Sequence, residues 1–361
     1  MQILSEANTA YSKKKGIFNM ERNKKIDFIR GFAMIAAVIG HCIQYGSGSN
    51  AGNCLENNVF KFIYSFHMPL FMLLSGYLFY QSCNKHSFPE NLLSRFTTLF
   101  IPIIMWNIIP FIKYTWHDRP HTFGYLFKTY ISTMMENSWF LWAIFYCSFA
   151  VLIVNRFFKD CLIIYLIGLL LTFVIPDSRN LFLYKFMYPY FVIGYFYRKK
   201  EEAYIEEANA FLNNNSKLFG ASAVIFAILL CFFNNDSYIY TSHYTLLGKE
   251  ILPQLGIDVY RFTIGLFGSI FIIMLLLKIF PKLGEKITKV FSVIGIHSLG
   301  IYMISGLLFQ YVLSGLTAWI VHINYLIILI EAVIILGISY LISLCIKKFT
   351  ITNMLFFGGR K

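Results

Sequence analysis

What most constrains this chain is a succession of apolar runs, each long enough to cross a hydrocarbon core about 30 Å thick, which takes roughly 20 helical residues. They fall near residues 26–45, 59–81, 95–115, 138–155, 161–176, 181–197, 217–233, 258–279, 290–313 and 321–346. The fifth is short, and the sixth carries Lys185 and Pro189. Lipid offers the backbone no hydrogen bonds, so a chain of long apolar runs satisfies its peptide groups as helices. The expected fold is therefore all-α, a polytopic transmembrane bundle of about ten spanning helices. With 57% hydrophobic and 14% charged residues, the composition lies far from the roughly 25% charge of soluble domains.

A formal charge of +13 would point to nucleic acid only if the basic residues gathered on one soluble face. Instead they sit in short clusters between apolar runs, so no nucleic-acid partner is expected. With both ends placed on one side, 22 of the 31 Lys and Arg residues fall on the side of the termini and eight on the other, Arg30 lying inside the first run. By the positive-inside rule both termini are cytoplasmic. Residues 1–25 then form a cytoplasmic tail, 26–346 the membrane domain, and 347–361 a second cytoplasmic tail. The first run lacks a small-residue cleavage site and reads as an uncleaved signal anchor; Met20, just ahead of ERNKK, is a candidate true start. Seven cysteines without CxxC spacing indicate neither a disulfide framework nor a metal site.

Residues 46–58, 116–137 and 234–257 are then outward loops. The last two carry Trp116, His117, His121, Tyr238, Tyr240, His243 and Tyr244. Such residues line carbohydrate sites, and they also form ordinary interfacial aromatic belts. The inward stretch 198–215 reads as a solvated amphipathic helix.

An ionisable side chain inside a spanning helix costs on the order of 2.5 to 3.5 kcal/mol, so each one is a functional candidate. The first helix holds Asp27, Arg30 and His41. At 100° per residue, His41 lies about 40° from Asp27 and about 20° from Arg30, so all three share a face. Gly31, Met34 and Val38 give that face a smooth stripe. Arg30 and His41 are about 16 Å apart along the axis, a span that suits an elongated ligand with an anionic end at Arg30 and a reactive end at His41. Coenzyme A has that shape. Asp27 and Arg30 are also spaced for a plain i, i+3 ion pair. His41 is either a hydrogen-bonded structural residue or a base for a hydroxyl proton.

His67 in the second helix stands at a depth similar to His41. Two residues later, Pro69 frees backbone groups that His67 would satisfy in a purely structural reading. Ser75 and Gly76 read as small-residue packing contacts. Glu331, deep in the tenth run, would orient either histidine or bond a neighbouring helix. Asp258 and Arg261 are spaced to pair. Cys42 points about 100° away from His41 and is no nucleophile for it.

IDFIRGFAMIAAVIGH, an arginine and a histidine with ten residues between them, and then FHMPLFMLLSGYLF resemble the membrane-bound acyltransferase family 3. WFLWAIF (139–145), YFVIGYFYRKK (190–200) and IGIHSLGIYM (294–303) are similar to later phrases of that family. The resemblance implies a bacterial inner-membrane O-acetyltransferase, of the fucose 4-O-acetylase-like kind, acting on envelope or extracellular polysaccharide. It implies no bound cofactor, acyl-CoA as co-substrate, and a glycan or lipid-linked saccharide as acceptor. Carried over, His41 is the essential histidine, Asp27 the acidic residue opening the catalytic motif, and Arg30 with Arg95 the donor-binding pair. His67, Trp139 and Glu331 are left for the acceptor or for support. Two departures stand out: only Arg95 occupies the place of an arginine pair, and Ser305 follows the ninth-helix IY where many members have a histidine. His297 reads as a packing or capping residue. Buried charges and broken helices also mark transporters and flippases, and a non-catalytic scaffold of a polysaccharide-synthesis complex is a third class.

Overall fold

In the computed structural model, residues 24–46, 54–116, 122–178, 180–203, 216–247, 250–313 and 324–359 are described. The N-terminal tail with Met20, His117 and His121, and most of the 198–215 stretch lie outside them. The described residues are mostly helical, with no strand among them. The helices are α1 (Lys24–Tyr45), α2 (Asn58–Lys85), α3 (Phe88–Trp116), α4 (Phe123–Asn137), α5 (Trp139–Phe158), α6 (Leu162–Val174), α7 (Leu181–Ala203), α8 (Ser216–Cys231), α9 (Ile251–Ile279), α10 (Glu285–Ile296), α11 (Ser298–Leu308), α12 (Tyr325–Lys348) and α13 (Thr350–Phe357).

Among the described residues each apolar run read from sequence coincides in the main with helix; the 290–313 run is divided at His297, and 321–323 lie outside the described residues. By length and apolarity alone, α1, α2, α3, α5, α9 and α12 are able to cross a membrane, and α10 with α11 makes a seventh span bent by 73° at His297. α6 and α8 are shorter apolar helices. α7 passes through Pro189 and the buried Lys185 without a break. Many apolar side chains face outward, among them Leu170, Val333 and Leu341, as a surface solvated by lipid requires. The chain is thus an all-α polytopic membrane bundle.

Local chemistry sets the helix ends. The Asn57 side chain accepts from the N–H groups of Val59 and Phe60 at the start of α2, and Asn324 does the same for α12. Ser87 and Glu90 close a capping box ahead of α3, with Pro89 in its first turn. Close crossings hold the centre. A Cβ on Gly31 would strike the Phe291 carbonyl of α10, and one on Gly295 the Asp27 carbonyl of α1. Gly76 and Gly194 bring α2 and α7 together in the same way. Backbone approach of this kind raises van der Waals contact between helices where no hydrophobic force drives association.

Two helices were not expected. α4 occupies much of the segment read as an outward loop. The C-terminal segment read as a tail contains α13, which docks on α3: Trp106 Nε1 donates to the Phe356 carbonyl at 2.9 Å, and Gly358 takes a left-handed φ of 66° as the helix stops against Thr97 and Thr98.

Candidate active site

A cavity of about 360 Å³ lies inside the bundle, walled by α1, α2, α3, α5, α7 and α11. Arg30, Met34, Ala37 and His41 line it from α1. Steps of four, three and four residues place them on one helical face. The stripe between the charges is therefore Met34 and Ala37. Gly31 and Val38, which the angular reading put on that stripe, are absent from the lining: Gly31 is pressed against α10, and Val38 is packed in the core. Arg95 of α3 joins Arg30 in the same cavity.

The two guanidinium groups are held differently. Arg30 Nη2 donates to Ser298 Oγ at 2.8 Å, and Nη1 lies 3.9 Å from Asp27 Oδ1. Ser298 opens α11 just past the bend, so the broken span supplies the contact. Arg95 packs over the Phe79 ring at 5.1 Å, and its buried Nε has no hydrogen-bond partner among the described residues. An anion would supply one. Asp27 stands at this end: its carboxylate lies beside Arg30, and about 21 Å of helix separates it from His41.

At the other end, His41 stacks on Tyr45 with centroids 5.7 Å apart and lies 5.6 Å from Phe309. Its Nδ1 is 3.3 Å from the Tyr64 hydroxyl, which donates to Gln44 Oε1 at 2.7 Å. A phenol has one proton, and an amide oxygen only accepts. The Tyr64 oxygen is therefore the acceptor toward His41 Nδ1–H, which leaves Nε2 as the basic nitrogen. Sequence reasoning missed Tyr64, although its i, i+3 spacing to His67 puts it on the same face of α2.

His67 is fully buried, and its Nδ1 donates to the Ile63 carbonyl at 2.8 Å. The carbonyl that Pro69 deprives of a partner is that of Ser65, four residues back, so His67 does not repair the proline break. Its tautomer too is fixed, with the lone pair on Nε2.

His67 lines a second, smaller cavity of about 50 Å³, along with Tyr64, Trp139, Tyr238, Tyr240 and Arg261. Met68 borders both cavities. Trp139 and two aromatic residues of the 234–257 segment line the same space as His67. Glu331 is buried near Cys42, close enough for its charge to act on that thiol, and lines neither cavity. Cys42 points about 100° away from His41 around α1. His297 caps the bend and packs edge-on against Tyr340 at 5.0 Å, while the Ser305 hydroxyl bonds back to the Tyr302 carbonyl.

Beyond the second cavity, Arg261 pairs with Asp258 and donates to the His243 carbonyl at 2.6 Å. Lys185 reaches Asp177 at 2.5 Å. Asp177 also accepts from the N–H groups of Tyr244 and Thr245. Burial pushes the Asp177 carboxyl up, but these hydrogen bonds outweigh it and hold the group below its ordinary 3.8.

Helices of this length around a cavity with cations at one end and an imidazole at the other define an integral membrane protein with an internal cavity. Within that class the chain belongs to the acyltransferase domain family, matched over residues 23–347. It is similar to nodulation protein NolL of Sinorhizobium fredii, 28% identical over 246 residues that make up 64% of either chain. It is also similar to NolL of Mesorhizobium japonicum, 26% identical over 184 residues, 49% of this chain and 48% of that one. The chain thus spans less than two thirds of the length of these relatives. No solved structure matches it.

Proposed function

We propose that this protein is an O-acyltransferase of a bacterial inner membrane, moving an acyl group, acetyl in the first instance, from cytoplasmic acyl-CoA to a sugar hydroxyl of an envelope or extracellular polysaccharide. The observation that carries the reading is that Arg30, Arg95 and His41 share one cavity, with about 16 Å between the first and last. The donor's phosphates sit at the arginines, and its pantetheine arm runs over Met34 and Ala37 toward His41. The basic clusters favour the arginine end as the cytoplasmic one.

At the far end, His41 Nε2 takes the proton of the acceptor hydroxyl as its oxygen forms a bond to the thioester carbonyl carbon. Collapse of the tetrahedral adduct breaks the carbon–sulfur bond, and the imidazolium returns its proton to the departing CoA thiolate. Asp27 and Ser298 fix Arg30; Tyr64 and Gln44 fix His41. The acceptor is a glycan or lipid-linked saccharide approaching from the side of His67 and Trp139.

The test is transfer of label from acetyl-CoA by the purified protein in lipid nanodiscs to glycans extracted from cells lacking it. Stable His41→Ala protein should lose about 10²-fold to 10⁴-fold in turnover, the usual share of a positioned base. Near-normal transfer by that variant would end this reading in favour of a transporter or scaffold.

A further inference from the structure

The small cavity beside His67 has features that the donor reading does not use. Arg261 lines it, and its side chain is 2% exposed. One nitrogen, Nη2, serves both Asp258 and the His243 carbonyl. Nε and Nη1 are buried without a hydrogen-bond partner among the described residues. A buried guanidinium left half satisfied bears the desolvation cost of its orphaned N–H groups unless something enters to accept from them. Across the cavity, His67 contributes the complementary function: with Nδ1–H committed to Ile63, Nε2 accepts. Trp139 and Tyr240 add flat aromatic surface to the lining.

We infer that this cavity is the acceptor subsite, and that Arg261 and His67 read the oxygens on one edge of an uncharged sugar residue. The inference rests on the acyltransferase reading above and adds the class of sugar. Neutrality follows from the charges. Arg261 is the only charged residue lining the cavity among those described, and Asp258 already balances it. A carboxylate or phosphate brought in would leave a net negative charge in a dry site next to Asp258, which is costly. Hydroxyl or amide carbonyl oxygens accept from Nε and Nη1 at no such cost, and a sugar hydroxyl donates to His67 Nε2. The hydroxyl that reacts is the one at the Met68 border, where this cavity adjoins the larger one that His41 lines.

The experiment uses the full protein in nanodiscs with labelled acetyl-CoA. Envelope glycans from cells lacking the protein are split by anion exchange into neutral and acidic fractions. Arg261→Gln alone would strand Asp258, so it is combined with Asp258→Asn to keep the pair neutral and the fold intact. Wild type should label the neutral fraction. The double variant should raise the apparent KM for that fraction by roughly tenfold or more, while the KM for acetyl-CoA and the slow release of CoA to water stay unchanged. Preferential labelling of the acidic fraction, or an unchanged acceptor KM in the double variant, overturns the subsite. A wild-type protein that neither transfers acetyl nor releases CoA overturns the acyltransferase reading itself, and the two failures are thereby distinct.

Discussion

Tyr64→Phe removes one oxygen and tests whether the orientation of His41 matters as much as its presence. In the native bundle that oxygen lies 2.7 Å from Gln44 Oε1 and 3.3 Å from His41 Nδ1. Without it, the imidazole has lost the acceptor that keeps its proton on Nδ1, and the tautomer with Nε2 protonated becomes accessible. That tautomer cannot take a proton from the acceptor at Nε2. Each hydrogen bond lost is worth about 0.5 to 1.5 kcal/mol, so two amount to about 1 to 3 kcal/mol. If the native ring orientation is used in the transition state, turnover falls by about 5-fold to 150-fold, at 1.36 kcal/mol per factor of ten. This is less than the loss expected for His41→Ala, because the ring remains and the productive tautomer is still visited. The assay is steady-state transfer with the donor and then the acceptor varied. Arg30 and Arg95 are untouched, so the KM for acetyl-CoA should hold while kcat falls. Wild-type kcat in a folded Tyr64→Phe protein would refute the positioning role, as would a change confined to the donor KM.

Arg30→Gln or Arg95→Gln should raise the KM for acetyl-CoA and leave that for a truncated acetyl-pantetheine thioester nearly unchanged; equal losses on both donors would remove the phosphate assignment. Gly31→Ala and Gly76→Ala each drive a methyl group into a carbonyl of the crossing helix and should cost about 1 to 3 kcal/mol by overpacking, read as a lowered melting temperature in detergent. Lys185→Met leaves the buried Asp177 carboxylate without its cation and should destabilise by about 3 kcal/mol or more. Because Asp177 is held below 3.8 in the folded protein, its contribution is present above that pH and disappears as the pH falls through the lowered value; the acid limb of the thermal-stability profile should flatten in Asp177→Asn.

Much of this architecture was legible because the solvent is lipid. Long apolar runs have one way to satisfy their backbones, and the first helix places its charges on one face by simple angular arithmetic. What that arithmetic missed is how the helices meet. Gly31 sits beside Arg30 in sequence, yet the approach of α10 claims it, and the cavity wall passes to Ala37 instead. Asp27 shares the face of His41 but stands two thirds of a membrane away from it, a matter of rise and not of angle. Tyr64 and Ser298 meet α1 through contacts between helices, which periodicity within one helix does not report. α4 and α13 escaped because each is too short for a spanning run and too apolar to read as a helix on a soluble surface.

The most direct measurement of the central claim is a structure of the protein in nanodiscs with a non-hydrolysable acetyl-CoA analogue. The account predicts phosphate density at Arg30 and Arg95, the pantetheine arm along Met34 and Ala37, and the acyl carbon about 3 to 3.5 Å from the position the acceptor oxygen takes beside His41 Nε2. Coenzyme A bound outside this cavity, or bound within it with the acyl group at the arginine end, would contradict the account.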